Sequence, residues 1–182
     1  MVQWWNKEAV RALICTENIQ MLVPKLWVPT MNHLDYDKLK ADFDAVIFDK
    51  DNCLTAPYNN HDLLYPEAVE RCKHAFGCDV AVLSNCVGCD DGSDGKVTEE
   101  FERVHGIPVI RHSTKKPDCI ESVLCHFKNK IQPERMVLIG DRLSTDIMMA
   151  NKYGMFSVLV DAHTEKGDNW AAIIVRRLEH LF

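Results

Sequence analysis

One short segment carries most of the structural information in this chain: Ala45-Val46-Ile47-Phe48-Asp49-Lys50-Asp51-Asn52-Cys53-Leu54-Thr55. Its apolar run predicts a buried strand over 45–49, and two aspartates one residue apart follow. Side chains at positions i and i+2 of a strand point the same way, so both carboxylates project from its carboxyl end. Open α/β sheets bind ligands there, which makes Asp49 and Asp51 candidates for nucleophile, proton carrier or cation ligand. An Asp-x-Asp pair is also common in ordinary loops.

Three further polar motifs follow at the ends of predicted strands or the starts of helices. They are Ser84-Asn85 after Val80-Ala81-Val82-Leu83, then Thr114-Lys115-Lys116-Pro117, and Asp141 to Asp146 after Met136-Val137-Leu138-Ile139-Gly140. The four motifs, in this order, resemble those of haloacid dehalogenase (HAD) superfamily phosphatases. The resemblance implies an α/β, Rossmann-like HAD fold and a phosphatase activity.

The chemistry of phosphate esters gives each motif a role. Such esters repel nucleophiles by their own negative charge, so catalysis depends on positioning and charge neutralisation. The resemblance implies that Asp49 forms an aspartyl-phosphate and that Asp51 protonates the leaving oxygen, then deprotonates water. Ser84 would donate its hydroxyl to a phosphoryl oxygen, although a turn or helix-cap serine is the simpler alternative. We favour Lys116 over Lys115 as the charge-balancing lysine, because it directly precedes a proline, as in similar phosphatases.

Acidic side chains at two of these motifs form the expected metal site. Asp141 ends a predicted strand, and Asp146 lies in the first turn of the next helix, where acids also complement the helix dipole. With Asp49 they make an oxygen-rich site suited to Mg²⁺, and the resemblance adds the backbone carbonyl of Asp51 as a ligand. A metal there would bridge carboxylate and phosphoryl oxygens and withdraw charge.

Neighbours of the catalytic positions are the candidate substrate-binding residues: Asn52, Asn85 and Lys115. One position departs from the HAD pattern, which usually continues as Asp-x-Asp-x-Thr or Asp-x-Asp-x-Val, because Cys53 stands at that last position. The role of Thr55, two residues further on, therefore stays open. We interpret Cys53 as structural, since a catalytic thiol would require an activating base.

The apolar pattern alternates between strand and helix over most of the chain. Strands are predicted over 45–49, 79–84, 107–110, 136–140 and 156–160. Helices are predicted over 66–76, 96–105, 117–129, 144–153 and 168–181. This alternation indicates a five-stranded parallel sheet with right-handed crossovers and helices on both faces. One strand-helix-strand unit fills each segment between successive catalytic motifs, so no large cap domain is expected.

Composition limits the class of protein. A chain of 182 residues, 47% hydrophobic and 26% charged, fits one globular domain, and a net charge of −6 argues against a nucleic-acid partner. We recognise no membrane-spanning stretch, secretory signal or transit peptide. The eight cysteines suit a reducing compartment. Cys86 and Cys89 have the spacing of a zinc or redox pair, but without a second close pair ordinary loop cysteines are the simpler interpretation.

The first 40 residues do not fit the alternation, so we divide the chain into an N-terminal helix or arm, 1–40, and a phosphatase core, 41–182. Three of the four tryptophans, Trp4, Trp5 and Trp27, fall in this arm. Either the arm packs on the domain, or it lies at a membrane interface, where Trp and Leu sit among the lipid headgroups.

A more specific resemblance concerns the substrate. Three stretches look like the mitochondrial phosphatidylglycerophosphate phosphatase family, and the resemblance covers about residues 20 to 165. They are Asp49-Lys50-Asp51-Asn52-Cys53, His112-Ser113-Thr114-Lys115-Lys116-Pro117 and the Pro-x-x-x-Val-Pro of the arm. This implies removal of the terminal phosphate of phosphatidylglycerophosphate, giving phosphatidylglycerol for cardiolipin synthesis, by a peripheral enzyme on the matrix side of the mitochondrial inner membrane.

A soluble HAD phosphomonoesterase acting on a sugar phosphate or nucleotide is the alternative. A non-catalytic binding domain is disfavoured because every catalytic position is filled. The sequence indicates no oligomeric state.

Overall fold

The computed structural model of the chain describes residues 20–88 and 95–163, and every element below lies in these ranges. The strands are β1 Leu26–Val28, β2 Ala45–Phe48, β3 Val80–Val82, β4 Met136–Gly140 and β5 Phe156–Val160. The α-helices are α1 Tyr36–Asp42, α2 Pro66–Phe76, α3 Gly95–His105, α4 Ile120–His126 and α5 Met148–Lys152. Short 3₁₀ turns at Met31–His33 and Pro133–Arg135 and a π-helical turn at Leu143–Ile147 complete the elements. The predicted helix 168–181, Trp4, Trp5 and Cys89 lie outside the described residues.

All strand pairs in the described sheet are parallel, in the order β1-β5-β4-β2-β3. The predicted five-stranded parallel α/β sheet is therefore confirmed. β2 and β4 are neighbours at its centre, with Phe48 opposite Ile139. The carboxyl ends of these two strands consequently lie side by side, at the kind of sheet edge where α/β folds bind ligands.

Alternate residues of β2 enter the two layers of the hydrophobic core. Val46 and Phe48 join the layer under α2 and α3, whereas Ala45 and Ile47 join the layer under α4 and α5. All four side chains are completely buried. Helices therefore cover both faces of the sheet, as the continuously apolar strand predicts.

The predicted strand 107–110 is reduced to a single bridge between Val82 and Val109. The backbone N–H of Val82 donates to Pro108 C=O at 2.9 Å, and Ile110 N–H donates to Val82 C=O at 2.8 Å. Pro108 has no N–H to extend a ladder, and the N–H of Val109 donates to Glu102 Oε1 at 2.7 Å. The fifth strand of the sheet is instead β1, which the sequence analysis missed. The predicted helix 117–129 is also shorter, because α4 covers Ile120–His126 only.

β1 lies at the sheet edge and pairs with β5, Leu26 opposite Val158 and Val28 opposite Val160. Only three residues long, it carries too little alternation to be recognised as a strand from its pattern. Just after it, Met31 is buried in the core layer under α2. The described portion of the predicted 1–40 arm is thus built into the sheet domain.

A polar network fixes the segment before β1 to the rest of the domain. Asn151 Nδ2 donates to the carbonyls of Met21 and Val23, at 2.9 and 2.8 Å. The buried Ser157 hydroxyl donates to Asn151 Oδ1 at 2.8 Å and accepts the N–H of Lys25 at 2.9 Å. Asn151 therefore satisfies three polar groups on two other segments of the chain.

Asn151→Ala is expected to lower the free energy of unfolding by about 2 kcal/mol, because it removes three hydrogen bonds and leaves the buried Ser157 hydroxyl without its acceptor. Urea denaturation measures the change. Gln132→Ala, an exposed site, is the matched control and should shift stability by no more than roughly 0.5 kcal/mol. Equal stability of the two variants would show that the network does not hold β1.

Candidate active site

The first two candidate aspartates lie where β2 ends. The backbone N–H of Asp49 donates to Ile139 C=O at 2.8 Å, which continues the pairing of β2 with β4 by one residue. The chain then turns sharply, with Asn52 N–H donating to Thr55 C=O at 2.8 Å. Asn52 has a φ of 65°, a left-handed conformation that asparagine tolerates better than most residues. Asp51 lies in this turn and is partly exposed, whereas Asp49 is buried.

Lys116 bridges two buried carboxylates. Its Nζ lies 2.6 Å from Asp49 Oδ1 and 2.6 Å from Asp146 Oδ1. Burial opposes the charged form of this lysine, but the charges of Asp146 and Asp49 outweigh burial and hold the pKa of Lys116 above its ordinary value. Burial raises the pKa of Asp146, and Lys116 opposes that rise. The neighbouring Lys115 is exposed, so the structure brings Lys116 to the carboxylates.

Asp141 completes a cluster of three buried carboxylates at the ends of β2 and β4. Oxygens of Asp49, Asp141 and Asp146 lie within 4.8 Å of one another. The π-helical turn brings Asp146 back over the end of β4, where its Oδ2 accepts the N–H of Arg142 at 3.2 Å. A side chain at Gly140 would overlap the Asp146 carboxyl group, so this approach requires glycine.

The donor chemistry of this cluster fits a hard divalent cation. Three carboxylates carry more negative charge than Lys116 alone neutralises, and all-oxygen ligands are those that Mg²⁺ prefers. Asp49, Asp141 and Asp146 are the residues that would hold the ion. The additional ligand role of the Asp51 backbone carbonyl stays a prediction.

Ser84 and Asn85 follow β3 and face the loop that carries Lys116. The buried Ser84 Oγ accepts the N–H of Cys86 at 3.1 Å. The Asn85 side chain accepts Lys116 N–H at 2.8 Å and donates to its carbonyl at 3.5 Å. Asn85 therefore holds the backbone of Lys116, a role that the sequence analysis did not include, and its substrate contact stays a prediction.

The remaining predicted positions are divided between core and surface. Asn52, Cys53 and Thr55 are buried, whereas Lys115 is exposed. Burial raises the pKa of the Cys53 thiol well above its ordinary value, which keeps it protonated and suits a packing role. Substrate contacts by Asn52 and Lys115 stay predictions.

Two buried residues near the site were missed by the sequence analysis. His112 Nε2 donates to Ser84 C=O at 2.7 Å and so joins the Ser84 segment to the Lys116 loop. Lys50, which lies between the two aspartates in the sequence, is buried, and its Nζ is 3.0 Å from Asp51 Oδ1. The sequence does contain one indication of this role for Lys50, because a lysine directly follows the apolar run of a buried strand.

Comparison with known proteins gives a family match and several relatives. The family described as mitochondrial PGP phosphatase matches residues 7–164. The chain is 35% identical to phosphatidylglycerophosphate phosphatase 1, chloroplastic/mitochondrial, of Arabidopsis thaliana, over 91% of this chain and 48% of that protein. It is 34% identical to phosphatidylglycerophosphate phosphatase 1, chloroplastic, of Chlamydomonas reinhardtii, over 91% of this chain and 62% of that protein. The mitochondrial phosphatidylglycerophosphatase of Saccharomyces cerevisiae is 36% identical, over 79% of this chain and 80% of that protein. The chain thus spans about half the length of the Arabidopsis relative.

Proposed function

The chain belongs to the mitochondrial PGP phosphatase family, and on that premise we propose that it hydrolyses the terminal phosphate of phosphatidylglycerophosphate to leave phosphatidylglycerol, a step toward cardiolipin. The observation that carries this proposal is the bridge from Lys116 to Asp49 and Asp146 beside Asp141. The Asp49 carboxylate lies next to the buried ammonium group of Lys116 and next to two further carboxylates that could hold a metal ion. Positive charge at these places would allow Asp49 to attack a negatively charged phosphoryl group.

In the first half-reaction, a carboxylate oxygen of Asp49 forms a bond to phosphorus while the bond from phosphorus to the glycerol oxygen breaks. Asp51 gives its proton to that oxygen, which leaves as the hydroxyl of phosphatidylglycerol. Lys116 offsets the negative charge around the phosphoryl group, and the Ser84 hydroxyl donates to one of its oxygens. The product bound to the chain is an aspartyl-phosphate at Asp49.

In the second half-reaction, the Asp51 carboxylate takes a proton from water. The water oxygen bonds to phosphorus as the bond to Asp49 breaks, which releases inorganic phosphate and restores both carboxyl groups. When bound, Mg²⁺ would withdraw charge from the phosphoryl oxygens. Turnover that persists in excess chelator would contradict the magnesium assignment.

The surface of the described domain offers one candidate contact with lipid. The connection from β2 to β3, which the structure describes throughout, contains one turn region and α2, so this segment holds no cap domain. Met21, Val23 and Trp27 are exposed apolar side chains near the sheet edge, and we propose that they contact lipid. No helix among the described residues has the length and apolarity to cross a bilayer. Failure to float with anionic phospholipid vesicles would contradict this peripheral contact.

The location is proposed from the relatives. Those from Saccharomyces cerevisiae and Schizosaccharomyces pombe are named mitochondrial. We propose that the chain acts as a peripheral enzyme on the matrix face of the inner mitochondrial membrane, as the match to the mitochondrial family suggests. Immunodetection in fractionated mitochondria tests this placement, and recovery outside the inner-membrane fraction would contradict it.

A substrate panel tests the function. We expect kcat/KM for phosphatidylglycerophosphate in mixed micelles to exceed that for a hexose phosphate or a nucleoside monophosphate by about 100-fold, because contacts remote from the reacting phosphate contribute binding energy. Asp49→Asn, purified in parallel, controls for contaminating phosphatases. Faster turnover of a soluble substrate would favour the soluble phosphomonoesterase, and no turnover of any ester with Mg²⁺ would favour a binding domain.

A further inference from the structure

Lys50 is an unusual side chain in this fold, because it is a lysine that is only 1% exposed. A buried ammonium group is costly unless a counter-charge compensates it. In the described ranges its ion pair is with Asp51, at 3.0 Å between Nζ and Oδ1. Since the side chain of Asp51 is 20% exposed, the pair joins the interior of the fold to the reaction site.

The turn around this pair is fixed by backbone hydrogen bonds. The N–H groups of Leu54 and Thr55 both donate to Lys50 C=O at 2.9 Å. A little further along, the N–H of Tyr58 donates to Asp51 Oδ1 at 3.2 Å. Oδ1 therefore accepts from two donors, one a backbone group and one a buried ammonium.

We propose that Lys50 is a positioning residue that holds the carboxyl group of Asp51 in the orientation required for proton transfer. The inference rests on the acid-base role of Asp51 in the proposed function. An oxygen that accepts two hydrogen bonds acts as the carbonyl-type oxygen of a protonated carboxyl group, so the transferable proton resides on Oδ2. Oδ2 then gives this proton to the leaving oxygen and later takes one from water.

Lys50 reaches Asp51 from inside the fold, so its effect is expected in kcat with KM little changed. A catalytic group displaced by about 1 Å can lose roughly 100-fold in rate. Lys50→Met keeps most of the side-chain volume and removes the ammonium group. We therefore expect kcat to fall by about 10- to 100-fold in this variant.

A double-mutant cycle separates positioning from a general effect on the fold. Lys50→Met is made in the wild type and in Asp51→Asn, and kcat is measured on p-nitrophenyl phosphate, whose leaving group departs without protonation, so that kcat reports the step in which Asp51 activates water. If Lys50 acts through Asp51, its replacement in Asp51→Asn should change kcat by less than about twofold. Circular dichroism checks each variant, and Lys38→Met, at a lysine whose side chain is 86% exposed, is the matched control.

The cycle distinguishes failure of this inference from failure of the proposed function. An equal loss of kcat in both backgrounds, or a raised KM with unchanged kcat, would overturn the role of Lys50 alone. Absence of phosphate-ester turnover in the wild type would overturn both. If Lys50→Met does not fold, the same cycle is run with Lys50→Gln, for which a smaller loss of kcat is expected in the wild type, because the amide retains a donor, and less than about twofold in Asp51→Asn.

Discussion

Asp49→Asn is expected to reduce turnover of phosphate esters by roughly 10⁴-fold or more, because an amide cannot replace the carboxylate as nucleophile. The substitution preserves the volume of the side chain. The backbone bond from residue 49 to Ile139 is unaffected by it. Steady-state kinetics on p-nitrophenyl phosphate and on the phospholipid measure the loss.

The fold should survive this change. Lys116 keeps Asp146 at 2.6 Å, so its buried charge remains paired. Circular dichroism and the denaturation midpoint should therefore stay close to those of the wild type. A variant that is folded and retains turnover within tenfold of the wild type would remove Asp49 from the mechanism.

Lys116→Met is expected to affect both activity and stability. Without the ammonium group, Asp49 and Asp146 face each other as buried carboxyl groups, and breaking a buried ion pair in this way costs about 3–5 kcal/mol. Turnover should fall by roughly 10³-fold because the charge that stabilises the transition state is lost. Urea denaturation and kinetics at saturating substrate measure the two effects.

Lys115→Met is the matched control for that variant, since it changes the adjacent lysine, which is exposed. Its stability should stay within roughly 0.5 kcal/mol of the wild type.

Added Mg²⁺ should recover part of the stability lost in Lys116→Met, because a cation at the three carboxylates offsets their repulsion. Equal losses in the two lysine variants would contradict the assignment of Lys116.

The central part of the fold could be predicted from the sequence. The strands at Ala45–Phe48, Met136–Gly140 and Phe156–Val160 are buried on both faces, and burial of that kind leaves a continuous apolar run in the sequence. Polar residues directly after such runs, such as Asp49 and Asp141, must lie at one edge of a parallel sheet. Their proximity therefore followed from topology.

The remaining features depend on contacts that no local pattern records. β1 is a three-residue edge strand held by Asn151, more than a hundred residues away in the chain. Strand 107–110 failed because Pro108 lacks a donor. Strand alternation predicts that the side chain of Lys50 points away from its two neighbouring aspartates, but the sharp turn after β2 ends that alternation and brings its Nζ to Asp51.

Trapping of the covalent intermediate tests the account most directly. The chain is mixed with phosphatidylglycerophosphate micelles and Mg²⁺, quenched in acid within the first turnover, and its peptides are analysed by mass spectrometry. We expect one phosphoryl group on the peptide that contains Asp49, removable by hydroxylamine as acyl phosphates are, and absent from Asp49→Asn. A phosphoryl group on a different residue, or turnover of the phospholipid with no phosphorylated peptide at any quench time, would contradict the account.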